Sequence, residues 1–417
     1  MLTFLHVADI HLDSPLLGLS HYDGAPPIED IRGATRQALD NLVNFALEEK
    51  VNFVLIAGDL YDGDWQDFKT GLYFANQMRN LGEAGIRVAV IRGNHDAANT
   101  MTKTLAMPQN VKIFSSRKPE TWLFEDLGVA IHGQSYANRD VYENLAIAYP
   151  DPVPDMFNIG ILHCLISGAD GHLPYAPCTL DELAAKGYDY WALGHVHKYG
   201  VLREQPHIVY SGCTQGRHIR EPGEKGCVLV EVEDDEIRTE FVPLNVLRWL
   251  EVKADVGNAQ NIEQAAIAFG EALSREMSDL NGMNACVRTV LTGRCPAHGQ
   301  LSLDPEAVSA NIRAIASEVS GGKVWIEKVK LQTRPTVDFD SIAESDTPQG
   351  ELLRYLKELI GNPQAIEELG LDLTALKSKL AGSGVELNEN DINDMLSEAG
   401  DILLTMLENE EGLQGRL

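Results

Sequence analysis

The sequence predicts an α/β fold, an α/β/β/α sandwich followed by a small α/β capping domain and a helical C-terminal segment, on three observations. From residue 1 to about 150 short apolar runs alternate with helical stretches, a βαβα order that gives a largely parallel sheet. From 157 to about 243 strands dominate, with turns at Pro174, Pro177, Pro206, Gly212 and Pro222, so a second sheet is expected to pack on the first. Five apolar runs then end on residues that bind metal ions: LTFLHV at Asp9 and His11, VLIAG at Asp59, VAVIRG at Asn94, His95 and Asp96, IGIL at His163, and YWALG at His195 and His197. Runs of four to eight apolar residues read as strands buried on both faces, and in open α/β sheets ligands collect outside the carboxyl ends of such strands. One edge of the structure can therefore gather the whole set.

The elements follow in order. Between Arg32 and Lys50, Ala38, Leu42, Phe45, Ala46 and Glu49 recur at helical spacing, and Asp67 to Leu81 is a second helix candidate. CVLVEVEDDEIRTEFVPL reads as a hairpin with an acidic turn. Beyond Leu244 the candidate metal ligands stop, and RWLEVKADV, IEQAAIAFGEALSREM, CVRTVLTG, PEAVSANIRAIASEV and VWIEKVKLQTR read as βαβαβ. The boundary at Arg334-Pro335 opens a tail with 18 Asp or Glu against 5 Lys or Arg. Within it ELLRYLKELI and DINDMLSEAGDILLTML are amphipathic helix candidates split by Ala381-Gly382-Ser383-Gly384. They suit docking on a partner or packing back on their own chain. The expected domains are 1–243, 244–335 and 336–417.

At 417 residues and 44% hydrophobic content the chain is long enough for two or three domains with cores, which excludes bulk disorder. No run approaches the roughly 18 apolar residues of a membrane span, and the N-terminus enters a strand without a basic region, so a cytoplasmic location is the expectation. The six cysteines form no CxxC pair and are expected to be reduced, without structural zinc. A net charge of −28 argues against an autonomous DNA clamp, because phosphate contacts rest on Lys and Arg. It leaves room for a nuclease whose bound divalent cations dominate the field where the phosphate is met.

Asp9 and His11 lie two apart, so on a strand both side chains share a face, as chelation of one ion requires; His195 and His197 repeat the spacing. Either pair alone is an ordinary polar pair at a strand end. The combination with Gly58-Asp59 and Gly93-Asn94-His95-Asp96 is what carries the metal reading. Glycine before Asp59 and Asn94 fits backbone that turns tightly and passes close to bound ions. Mixed oxygen and imidazole donors favour Mn²⁺, with Fe²⁺ and Zn²⁺ as alternatives, over calcium or a thiolate site. The set is too large for one ion. Two ions about 3.5–4 Å apart, sharing a carboxylate, suit in-line attack on phosphorus and hence phosphoester hydrolysis.

The blocks DIH, GDLYD, GNHD, GILHC and GHVH, in this order, resemble those of the calcineurin-like metallophosphoesterases over roughly residues 1 to 240. The resemblance implies Asp9, His11 and His197 on one ion, Asn94, His163 and His195 on the other, and Asp59 bridging. His95 then stands beside the scissile phosphate as proton donor or transition-state stabiliser. HVADIHLDSPL, GDLYD and YSGCTQGRHIREPGEKG are similar to the SbcD-type DNA repair exonucleases, in particular their YhaO-like branch. That implies a DNA substrate, an SbcC-like SMC-type coiled-coil ATPase as partner of the C-terminal helices, and dimers. Asp62 lies where several relatives carry a histidine, which leaves the balance of exonuclease against endonuclease activity open.

Arg217, His218 and Arg220 follow a predicted strand and are candidates for phosphate contact or for a solvated loop. Asp96 is read as orienting His95, holding the loop backbone or capping a helix at Ala97, and Asp13 and Ser14 as supporting the first ligand pair. His6, His21, His132, His172 and His207 lack partner spacing and read as structural or exposed. Phe241 and Trp249 read as packing. Two other functions stay open: hydrolysis of a small phosphodiester, phosphomonoester or phosphoprotein, which the acidic charge favours, and a scaffold that tethers DNA ends or regulates an ATPase.

Overall fold

A computed structural model of the chain describes all residues except 15–32, 63–67, 99–105, 168–174, 235, 281, 337–341, 361, 363–394, 397–398 and 401–417. The described chain divides into two compact units, 1–250 with 283–286, and 251–282 with 287–417.

The first unit holds two six-stranded sheets. One contains β1 (Leu2–Val7), β2 (Phe53–Ala57), β3 (Arg87–Ile91) and β4 (Val111–Ile113), joined in parallel. The other runs β5 (Glu120–Phe124), β6 (Val129–Gly133), β7 (Phe157–His163), β8 (Tyr190–Gly194), β10 (His207–Tyr210), β9 (Gly200–Glu204). The first is completed by β11 (Gly226–Glu233), antiparallel to β1, and β12 (Glu236–Pro243), antiparallel to β11. The period of two in a strand decides which residue goes where. In β1, Phe4 faces Phe53, Phe124, Ile159 and Tyr190 in the core between the sheets, while Leu5 and Val7 join Leu39, Leu42, Phe74 and Met78 of the helices Ala34–Glu48 and Lys69–Glu83. On the far side Tyr136, Leu183, Trp191 and Leu193 form the core under the outer layer. The result is the α/β/β/α sandwich. Burying β2 and β8 along their whole length is what makes them unbroken apolar runs, whereas β1 and β7 carry the buried, hydrogen-bonded His6 and Asn158.

The sequence pattern assigned strands to sheets differently at two places. The second sheet begins at Glu120, well before residue 157, and the hairpin β11–β12 returns to the first sheet. Alternation and turn residues mark a hairpin but carry no information on which distant edge it pairs with, here β1 through Leu5↔Leu229 and His6↔Val228.

Residues 247–334 form the three-stranded sheet β13 (Leu247–Asp255), β14 (Asn284–Arg294), β15 (Val324–Arg334), with helices Ile262–Met277 and Pro305–Ser320. Asn261 and Asp304 start those helices by accepting from the N–H groups of Gln264 and Ala307, and Gly321 in the left-handed region ends the second. A short helix, His298–Leu303, had no periodic signal of its own. In the tail the helix Pro348–Leu359 buries Leu353, Leu356 and Leu359 against Ala343 and Leu396 of its own chain. The second tail helix candidate and the Ala381-Gly384 turn lie almost wholly outside the described residues. All six cysteines are buried and outside any disulfide, and no described helix is long and apolar enough to cross a membrane.

Candidate metal centre

Every ligand candidate leaves the carboxyl end of a strand, and the backbone there is bent to aim it. Asp9, His11, Asp59 and His195 all have positive φ, at 51°, 45°, 50° and 98°. L-residues avoid this region at a cost of about 1–3 kcal/mol each, so the surroundings must hold them there. The loops after β1 and β2 do so by zipping together: the N–H groups of Asp9, His11 and Leu12 donate to the carbonyls of Gly58, Asp59 and Leu60 at 3.0, 3.1 and 2.9 Å. Asp96 adds a second clamp, its buried carboxylate accepting from the N–H groups of Leu60, Tyr61 and Gly93. Of the three readings open for Asp96, holding the loop backbone is the one its hydrogen bonds fit.

Asp59 sits at the middle. Its Oδ2 is 3.9 Å from His11 Nε2 and 3.5 Å from His163 Nε2, and its Oδ1 accepts from the His95 N–H at 2.9 Å. On one side His11 Nε2 and His197 Nε2 are 3.3 Å apart, with Asp9 Oδ1 3.8 Å from His197 Nε2. On the other, His163 Nε2 is 3.1 Å from Asn94 Oδ1, and the His163 and His195 rings lie 5.2 Å apart. Asp9 accepts from the His195 N–H at 3.0 Å. All seven ligand candidates therefore meet in one place.

The donor chemistry fits divalent cations. His163 Nδ1 donates to the Ala57 carbonyl at 2.9 Å and His197 Nδ1 to Glu221 at 2.6 Å, so both Nε2 atoms turn inward among acceptor oxygens. His11 Nδ1 is buried without a hydrogen-bond partner. Burial lowers the affinity of His163 for a proton, yet the charge of Asp59 and the hydrogen bond to it outweigh this and lift the pKa to about 9. Burial raises the Asp9 carboxyl with help from Asp59. Two buried carboxylates side by side need compensating charge.

The glycines owe their identity to a side chain rather than to ions alone. A methyl on Gly58, whose φ is 95°, would lie 2.4 Å from His163 Nδ1, and one on Gly93 would lie 2.3 Å from Asp59 Oδ1 and 2.9 Å from His163 Cε1. The His163 ring crosses from the second sheet into the space those glycines leave.

His95 stands at the rim, its Nδ1 2.9 Å from Asp62 Oδ1, and Asp62 is further held by the Ser14 hydroxyl at 2.5 Å. Burial opposes a proton on His95, but the hydrogen bond to Asp62 and the charge of Asp59 outweigh it and raise its pKa. Asp13, expected to support the first ligand pair, turns elsewhere: with φ at 62° its carboxylate takes Arg36 and the Thr70 hydroxyl, tying this loop to the two helices. Arg217 also points inward, pairing with Glu221 at 3.1 Å and lying 3.6 Å from Asp62. His218 is 3.6 Å from Glu221, and Arg220 is exposed. Glu221 itself has no metal-motif spacing; the one signal for it is the Arg217 four residues earlier in the same loop. His6 is buried between the Tyr190 hydroxyl and the Leu193 carbonyl, and His132 between Thr121 and Asn158, both structural as expected. His21 and His172 lie outside the described residues. Trp249 is buried, its indole N–H on the Gly216 carbonyl, and Phe241 packs on Tyr199.

Comparison with known proteins finds metallophosphoesterases. The family model for calcineurin-like phosphoesterases matches residues 2–199, and that for the middle domain of the metallophosphoesterase YhaO matches residues 249–334. The metallophosphoesterase YhaO of Bacillus subtilis is 40% identical over 299 residues, 71% of this chain and 72% of that protein. The SbcD component of the SbcCD nuclease of Staphylococcus saprophyticus is 27% identical, over 60% of this chain and 70% of its own. The DNA double-strand break repair protein Mre11 of Methanopyrus kandleri is 26% identical, over 46% of this chain and 44% of its own.

Proposed function

Because the chain belongs to the calcineurin-like metallophosphoesterases, we propose that it is a two-metal phosphodiesterase that cuts DNA, as nuclease subunit of a complex with an SbcC-like ATPase. The observation that carries the chemistry is the position of Asp59 between two inward-facing sets of donors. Asp9, His11 and His197 would hold one ion, Asn94, His163 and His195 the other, and Asp59 both; Mn²⁺ suits this mixed set best, with Fe²⁺ and Zn²⁺ as alternatives. When bound, two such ions supply Lewis acidity and an activated water for in-line attack on phosphorus. The chain's own contribution to bond breaking falls to His95. Its Nδ1–H is committed to Asp62, so a proton on Nε2 is left to meet the departing oxygen.

DNA as substrate is supported by the likeness to a nuclease component and to a double-strand break repair protein. With a net charge of −28 the chain relies on its bound ions to meet a polyanion, and a partner would add to them. The ATPase is assigned to the acidic tail, whose helix Pro348–Leu359 keeps Tyr355 exposed beside its buried leucines. A dimer is the expected state of the nuclease subunit.

Purified chain with Mn²⁺ is expected to release nucleotides from duplex DNA, with and without an SbcC-like ATPase. The acidic charge favours one competing reading, a small phosphoester as substrate. Rapid turnover of bis-p-nitrophenyl phosphate or a monoester with DNA left intact under both conditions would establish that reading instead.

A further inference from the structure

His163 and His197 are anchored by different means. His163 ends β7 within the core, and its Nδ1 is held by the backbone carbonyl of Ala57, which no substitution removes. His197 lies beyond the end of β8, is more exposed, and takes its anchor from a side chain 24 residues further on. That side chain, Glu221, is buried at 5% exposure. Its Oε1 accepts from His197 Nδ1 at 2.6 Å and from Arg217 Nη2 at 3.1 Å, its Oε2 from the Arg217 N–H at 2.7 Å, and its own N–H donates to the His218 carbonyl at 2.8 Å. The loop closes tightly around this point. A methyl on Gly216 would lie 2.6 Å from the Glu221 carbonyl oxygen, and the Gly216 carbonyl is pinned by Trp249.

We propose that Glu221 is a positioning residue of the metal centre: locked by Arg217, its carboxylate fixes the tautomer and aim of His197, so one of the two ions depends on a loop that supplies no ligand. Carboxylate-histidine-metal arrangements of this kind orient the ring and raise its basicity, and losing the outer partner typically costs about 10–100-fold in metal affinity. The Arg217 guanidinium also lies 3.6 Å from Asp62, the partner of His95. The same loop thus braces a metal ligand and the group that meets the leaving oxygen. The inference rests on the two-ion reading above.

The test is manganese binding to the full chain, by calorimetry and by elemental analysis of the dialysed protein. Wild type should hold two ions. Glu221→Gln, which keeps the side-chain shape but not the charge, should bind one ion with unchanged affinity and the other about 10–100-fold more weakly. Glu221→Asp, which restores the charge, should recover part of the loss. Cys213 shares a cluster with His197 and Glu221, so Cys213→Ser checks whether that cluster is itself a metal site; it should bind like wild type. Two ions at unchanged affinity in Glu221→Gln, equal weakening of both ions, or a Cys213→Ser loss as large as that of Glu221→Gln would each overturn the proposal. Fewer than two ions in wild type would sink the two-ion reading together with it, whereas two ions there with no effect at Glu221 sinks the clamp alone.

Discussion

The two sheets reach the metal centre with different chemistry. Strands β1, β2 and β3 of the first deliver the oxygens of Asp9, Asp59 and Asn94 together with His11, whereas β7 and β8 of the second deliver imidazoles alone, His163, His195 and His197. Each set is also held by the other. The Asp9 carboxylate takes the N–H of His195, and His163 leans on the Ala57 carbonyl at the end of β2. The difference teaches that, in the proposed centre, the sheets would be two halves of one chelate, with the carboxylates on one side, imidazoles alone on the other, and Asp59 at the seam.

Breaking the seam should have the largest effect. Asp59→Asn removes the shared charge, and phosphodiester hydrolysis is expected to fall by roughly three orders of magnitude or more, with both ions lost in elemental analysis. His95→Asn sits off the seam: it should keep both ions while cleavage falls by about 10²–10⁴-fold. Loss of metal in that variant would move His95 into the ligand set.

Packing across the seam is tested at Gly93. Gly93→Ala drives a methyl into Asp59 Oδ1 and the His163 ring, and should cost about 1–3 kcal/mol in denaturant unfolding together with weaker metal binding. A variant as stable as wild type would mean the sheets have more room than these contacts allow.

How much of this arrangement is legible in the sequence depends on how local the cause is. The candidate ligand blocks could be read because each lies at or just beyond the end of a buried strand, and parallel strands within each sheet bring their carboxyl ends to one edge whatever their order. The destination of β11–β12 could not, since a hairpin looks the same on either sheet. Asp13 and Asp9 look alike in DIHLD, yet Asp9 turns to the His195 N–H and Asp13 to Arg36 and Thr70, because the left-handed backbone at Asp9, His11 and Asp13 breaks the period of two that the sequence pattern assumes. Glu221 was missed for another reason. Its work is defined by a contact to His197 that no spacing encodes.

The most gradual effect, spread over several pH units, lies under the centre, where His6 of β1 is hydrogen-bonded to β8. Burial lowers its pKa from 6.5 to about 3, against a Leu193 carbonyl that pulls the other way. Between those values the unfolded chain binds a proton that the folded chain does not. The stability from neutral His6 is thus full above about pH 6.5, and it falls by about 1.4 kcal/mol per pH unit on acidification towards 3. Comparing acid unfolding of wild type with His6→Gln should show the shallower slope in the variant; parallel slopes would place the sensitivity elsewhere.

The central claim is most directly tested by anomalous scattering from crystals of the protein grown with manganese. Two peaks about 3.5–4 Å apart, both within bonding distance of the Asp59 carboxylate, are expected. A single peak, or two that do not share Asp59, would contradict it.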